Sequence, residues 1–258
     1  MSCKATMKGV RLLLTAGAGG LIALGAQADF ANKIGKSVAG YGETRNALAN
    51  FPVLVRITSE QAQGCRDDGA DLQFTSLDGK TVYPHEIDVW NPQGESTVWV
   101  RLPEMKNGTL FVMHWGDADY EGASFEKGAV WDAAGYAGVW HMTEESGPVA
   151  NMTSKTAENG ESLDAVPAGA RASYSKRSAI AAPIGYARDL GAEDVNHDVS
   201  GRAFLKVKSY DNLGLGDTYV ISGWWNVQDF HGNYDRNHRT RNGRFFARKT
   251  SYNPILVS

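Results

Sequence analysis

Between residues 50 and 122 apolar and polar side chains alternate in short runs, and residues that favour tight turns separate the runs. A period of two places successive side chains on opposite faces of an extended strand; a helix needs a period of about 3.6. Phe51, Val53, Val55 and Ile57 therefore share one face, with Pro52, Leu54 and Arg56 on the other. Pro52 has no N–H to give to a ladder, which confines it to a strand start or a sheet edge. Leu72, Phe74 and Ser76 alternate with polar neighbours; Val82, Ile87 and Val89 continue the pattern, as do Val98, Val100 and Leu102. Asp78-Gly79, Asn91-Pro92-Gln93-Gly94 and Asn107-Gly108 separate these runs. Such residues tolerate the backbone angles of tight turns, and Asp-Gly in particular signals a hairpin. A last strand is expected over residues 109–115, and Ile34 and Val38 suggest an opening one. Many short strands at this spacing predict an antiparallel sandwich.

The segments NFPVLVRI, GADLQFTSLDG, PHEIDVWNPQGESTVWVRLPEM and LFVMHWGDADYEG resemble the bacterial domain-of-unknown-function family 2341. The resemblance covers nearly all of residues 50–122. It implies an extracytoplasmic β module of no established activity, often followed by a concanavalin-A-like (laminin-G-like) jelly roll. Residues 123–132 read as a linker into such a second module. VWHM at 139–142, GYARDL at 185–190, AFLKVKSYDNLGLGDTYVISGWWNV at 203–227 and RFFARKTSY at 244–252 resemble that jelly roll in their order. Within this half, residues 218–227 form the strongest strand pattern, and 143–182 are expected to be mostly loop. The resemblance implies further strands, so the roll is expected to be incomplete at residue 258. The fold class expected is all-β: two antiparallel, jelly-roll-like sandwich modules, at 29–122 and 123–258, behind a signal peptide at 1–28.

The signal assignment comes from the N-terminus. Lys4, Lys8 and Arg11 form a positive region, residues 12–24 an apolar core interrupted by glycine, and Ala26-Gln27-Ala28 a small-x-small cleavage site. The core is shorter than the about 20 apolar residues of a membrane span. The expectation is therefore a secreted, cell-surface or periplasmic chain with no membrane span in its mature part. Removal of the three basic residues of the signal leaves 23 basic against 29 acidic residues, a net charge of −6. That excludes the basic footprint of a nucleic-acid binder. Cys3 leaves with the signal and Cys65 remains alone, so no internal disulfide is expected.

No catalytic constellation emerges. His85-Glu86-Ile87-Asp88-Val89-Trp90 resembles the E-x-D-x-E strand of family-sixteen glucanases, in which the first Glu attacks the sugar and the last is acid and base. Retaining chemistry needs two carboxyl groups about 5 Å apart, and alternate residues of a strand supply such a row. Here Trp90 occupies the acid/base position, and the motif lies outside the jelly-roll half. Asp194, Asn196 and Asp198 place oxygen ligands at alternate positions, like the start of a calcium loop. Val199 and Leu205 stand where that loop needs Gly and Glu. Calcium is thus the one ion with a candidate site, an acidic turn is the simpler reading, and no other cofactor is expected. The six histidines show no metal-ligand spacing. His231 and His238 lie among Arg236, Arg239 and Arg241, a basic loop suited to an anion or to plain solvation.

Trp90, Trp115, Trp140, Trp224 and Trp225 are candidate sugar platforms, although large aromatics in strands more often belong to the core. Neighbours on a strand face opposite ways, so one of Trp224 and Trp225 is expected in the core and the other on the opposite face. These observations favour a non-enzymatic binding or adhesion module whose partner is a glycan or other cell-surface polymer. Two alternatives follow from the resemblance. One is the periplasmic sensor of a biopolymer-transport-type proton-channel component. The other is a non-catalytic part of a polysaccharide-acting enzyme. Export with cleavage after Ala28 gives Asp29 as the first residue of the mature chain. Intact-mass measurement of the exported protein checks this, and a product still carrying Met1 contradicts it.

Overall fold

A computed structural model describes residues 29–43, 45–169, 172–190, 203–207, 213–215 and 218–226. The all-β expectation holds. Every strand pairing is antiparallel, and the helical elements among the described residues are two single 3-10 turns, Asp132–Ala134 and Ala172–Tyr174. No helix among these residues is long and apolar enough to cross a membrane.

The first half folds as two three-stranded sheets. In one, β2 (Leu48–Ile57) and β4 (His85–Val89) flank β5 (Ser96–Met105). In the other, β1 (Asn32–Ser37) and β3 (Gln73–Thr75) flank β6 (Leu110–Trp115). The alternation read from the sequence decides which side chains meet. Val55, Ile57, Val98, Val100 and Leu102 from the first sheet share one core with Phe74, Phe111, Met113 and Trp115 from the second. Each such burial contributes about 1.5–3 kcal/mol. Asp71 is fully buried among them and satisfied, accepting the Arg66 N–H at 2.9 Å and the Gly116 N–H at 2.8 Å. Pro52 lies in β2, an edge strand, where its missing N–H costs no ladder bond.

The turns play different roles from one another. Asn91 to Gly94 closes a true hairpin between β4 and β5, with Gly94 N–H on the Asn91 carbonyl at 3.0 Å. The Asp78-Gly79 turn forms, with Gly79 at φ +72°, but the returning strand pairs with β3 only as a bridge from Thr75 to Val82. Pro84 follows and has no N–H to extend that ladder, and its carbonyl instead accepts the Arg101 N–H of the other sheet at 2.9 Å. The chain therefore changes sheets at Pro84. The Asn107-Gly108 turn also joins strands of different sheets, β5 and β6.

The second half matches expectation in part, with the strand pattern at 203–207 forming a strand, Phe204–Val207. Two short antiparallel pairs are described: β7 (Ala165–Ala168) with β10 (Phe204–Val207), and β8 (Lys176–Arg177) with β9 (Arg188–Asp189). Residues 139–142 form no strand, and 185–190 contribute only the two residues of β9. Residues 218–226 make no ladder among the described residues, despite their apolar pattern. Propensity without a paired neighbour does not make a strand, because strand residues depend on cross-strand contacts. Residues 143–182 are mostly irregular, as expected. The strand pattern at 244–249 lies outside the described residues. Within the segment read as a linker, 123–132, the final residues pack: Val130 and Trp131 are each 2% exposed.

Phe74 is fully buried and tilts against Phe111 at 6.3 Å between ring centroids. Phe74→Ala is expected to cost about 3–5 kcal/mol of stability, read as a lower denaturant midpoint with an unchanged slope.

Candidate functional site

The outer face of β4 carries two carboxylates, Glu86 and Asp88, that meet a histidine from a later segment. Glu86 pairs across the ladder with Trp99 of β5, so both point away from the core. The register slips between Ile87 and Val89, which leaves Asp88 as an extra residue opposite no partner. Such a bulge re-aims a side chain, and here it keeps Asp88 beside Glu86. The segment after the sandwich then covers both carboxylates. His141 Nε2 lies 2.7 Å from Glu86 Oε1, and the Trp131 indole N–H donates to both Glu86 oxygens at 3.3 Å. His141 Nδ1 faces Asp88 Oδ1 at 3.8 Å. Trp99 Nε1 donates a long bond of 3.4 Å to Asp88 Oδ2.

Aromatic rings close the group. Trp131 meets Trp99 edge-on at 5.1 Å and Tyr136 at 5.3 Å, and His141 stacks parallel to Trp99 at 6.3 Å. Backbone constraints hold the cover in place. Met142, next to His141, has φ +61°, a costly value for a residue with a long side chain. Gly185 approaches from another loop at φ +55°, and a Cβ there would stand 2.9 Å from Asp88 Oδ2. A side chain there would be strained and would force Asp88 to shift.

Burial sets the chemistry. The side chain of Asp88 is 2% exposed, that of His141 11% and that of Glu86 19%. Asp88 Oδ1 has no hydrogen-bond partner among the described residues. Burial pushes the Asp88 carboxyl above the usual carboxylate range; His141 and the Trp99 N–H pull it down, and Glu86 adds to the rise. The sign follows: a folded-state pKa above the unfolded one gives stability below the unfolded value, lost as pH rises through the folded value. Above the folded value the Asp88 charge therefore opposes folding.

The two nitrogens of His141 face different carboxylates across the ring, so the three side chains do not converge on one centre. No group of three His, Cys, Asp or Glu arranged for a metal is found among the described residues. Glu86 and Asp88 do share a face as the glucanase-like strand suggests, but they lie beneath Trp131 and His141 rather than along an open cleft. These contacts tie Trp131 and His141 to the outer face of β4.

The tryptophans divide in two. Trp90 lies over Gly69 and donates to the Asp67 carbonyl at 2.9 Å. Trp115 is buried and donates to Gln63 at 2.8 Å, and Trp140 donates to Leu163 at 3.2 Å. By contrast Trp224 is 68% and Trp225 57% exposed, beside Val220 and Ile221, which are also exposed. The expectation that one of this pair is buried rests on strand alternation, which does not operate where no ladder forms. Asp194, Asn196 and Asp198, with His197, His231 and His238, lie outside the described residues. Cys65 is free, and burial pushes its thiol up to about 12, with the Asp71 carboxylate adding to the rise.

The carboxylate pair was legible in the sequence, but its partners Trp131 and His141 were not. The nearest signal was Trp131 itself, a large aromatic in a stretch read as linker. No protein-family model, curated protein or solved structure matches the chain.

His141→Ala is expected to cost about 1–3 kcal/mol, since it removes the Glu86 partner at 2.7 Å and leaves that partly covered carboxylate with the Trp131 N–H alone among the described residues. Asp88→Asn is expected to be neutral or stabilising at pH 7, because it removes the charge that burial disfavours. Thermal melts of the two variants at pH 7 check both directions, and a larger loss for Asp88→Asn than for His141→Ala contradicts the assignment.

Proposed function

We propose that this chain is an exported, non-catalytic binding or adhesion module of the bacterial cell surface or periplasm, with glycan as its ligand class. The observation that carries this reading is the exposure of Trp224 and Trp225. Large aromatic rings left at the surface are the side chains that stack on the apolar faces of sugars, and exposed apolar patches commonly mark binding sites. In this reading residues 29–122 are a family 2341-like scaffold, and residues 123–258 belong to a concanavalin-A-like jelly roll that presents the ligand site. Glu86 and Asp88 serve to join the two parts instead of attacking a sugar.

Screening the exported protein on a glycan array tests the reading. A retained sugar is expected to bind about tenfold more weakly, ~1.4 kcal/mol, after Trp224→Ala or Trp225→Ala. Reducing-sugar release from mixed-linkage glucan is expected to be absent. Binding that neither tryptophan change affects, or hydrolysis abolished by Glu86→Gln, overturns the proposal.

A further inference from the structure

The start of the described chain is held by a specific contact. The backbone nitrogen of Asp29 donates to Asp117 Oδ2 at 2.7 Å. The other oxygen of that carboxylate accepts the Asp119 N–H at 3.0 Å, so the loop after β6 itself turns Asp117 towards Asp29. The next residue is also seated. Phe30 is partly buried, with its ring 5.4 Å from that of His114 and edge-on to Tyr120 at 5.1 Å. Tyr120 is in turn tied to β3, its hydroxyl accepting from Gln73 Nε2 at 2.8 Å. β1 then begins, with Asn32 opposite Trp115. Residue 29 is thus fixed at the end of β6 by two independent contacts, its own N–H and the Phe30 ring.

We propose that cleavage after Ala28 converts this neutral hydrogen bond into an ion pair, in which the new α-ammonium of Asp29 latches onto Asp117. The inference rests on the export reading above. The step is a hydrolysis: the Ala28–Asp29 C–N bond breaks and water adds its oxygen to the Ala28 carbonyl carbon. The departing segment keeps a carboxylate, and the nitrogen takes up the protons to become –NH3+. One neutral donor becomes three charged ones, and charge-assisted bonds to carboxylate are about twice as strong as neutral ones. Among the described residues, the charged and titratable groups on the elements that hold the new terminus include the carboxyl of Asp29 itself, His114 beside Lys33, Asp117, Asp119 and Tyr120, whose carbonyl accepts from Arg66. Asp117 is the one placed at hydrogen-bond distance from the nitrogen.

The test uses the full chain expressed for export and purified after processing, with its first residue established by intact mass. The terminal amine is tagged by reductive methylation with carbon-13 formaldehyde and titrated by NMR. Its pKa is expected about half a unit above the ordinary α-amino range of about 7.7–8.0. Asp117→Asn is expected to return it to that range, while Asp119→Asn, which keeps the backbone contact, moves it less. An Asp29 terminus whose amine titrates normally and ignores Asp117→Asn overturns the latch and leaves the export reading standing. A mass that retains residues 1–28 overturns the export reading, and the latch with it.

Discussion

Two central strands, β5 and β6, bury their inward faces in one core, and β1 to β4 flank them. Val98, Val100 and Leu102 of β5 and Phe111, Met113 and Trp115 of β6 belong to one core cluster. Each strand has a neighbour on both sides, so its backbone groups are satisfied while its inner side chains lose contact with water. Interiors packed in this way tolerate neither cavities nor unpaired polar groups. That is why the deep polar side chain of this core, Asp71, arrives with two backbone donors already in place.

The outer face of the same sheet meets a different constraint. A strand whose inner side chains are apolar must present its alternate residues outward, and on β4 these are Glu86 and Asp88. Covering them with Trp131 and His141 buries apolar area, but it also removes charge from water, which is costly unless each group is paired. The structure resolves this unevenly. Glu86 receives an imidazole and an indole, whereas Asp88 keeps one oxygen unmatched among the described residues. The junction thus carries a buried carboxyl, Asp88, whose pKa burial raises. A second buried ionic contact follows the same logic: the Arg188 guanidinium, its side chain 2% exposed, reaches the carbonyls of Ser175 and Gly147 and lies 3.9 Å from Glu144.

Aromatic side chains serve two ends in this chain, and their surroundings separate them. Trp99 and Trp131 use their N–H groups on carboxylates, and Trp90, Trp115 and Trp140 use theirs on backbone carbonyls. In each case the polar tip is satisfied and the ring packs. Trp224 and Trp225 are each more than half exposed. That exposure, rather than the number of tryptophans, is what favours a binding role for the pair.

Much of the first half was legible in the sequence because its code is local. A period of two and a turn-forming residue define a strand and its end, and inward positions such as Ile57, Phe74 and Val98 follow from alternation alone. Sheet membership was not legible. Whether Asp78-Gly79 or Asn107-Gly108 closes a hairpin or carries the chain to the other layer depends on Pro84 and on the partners each strand finds. The second half was read less well, since the apolar run at 218–226 has strand composition and no ladder among the described residues. The Glu86, Asp88 and His141 cluster was half legible. The spacing on β4 put the carboxylates on one face, but residues 45 to 55 positions further along supplied their cover. Alternation along the chain decided which side chains share a face. Only the folded chain decided what is packed against that face, because burial and the pKa of Asp88 depend on neighbours distant in sequence.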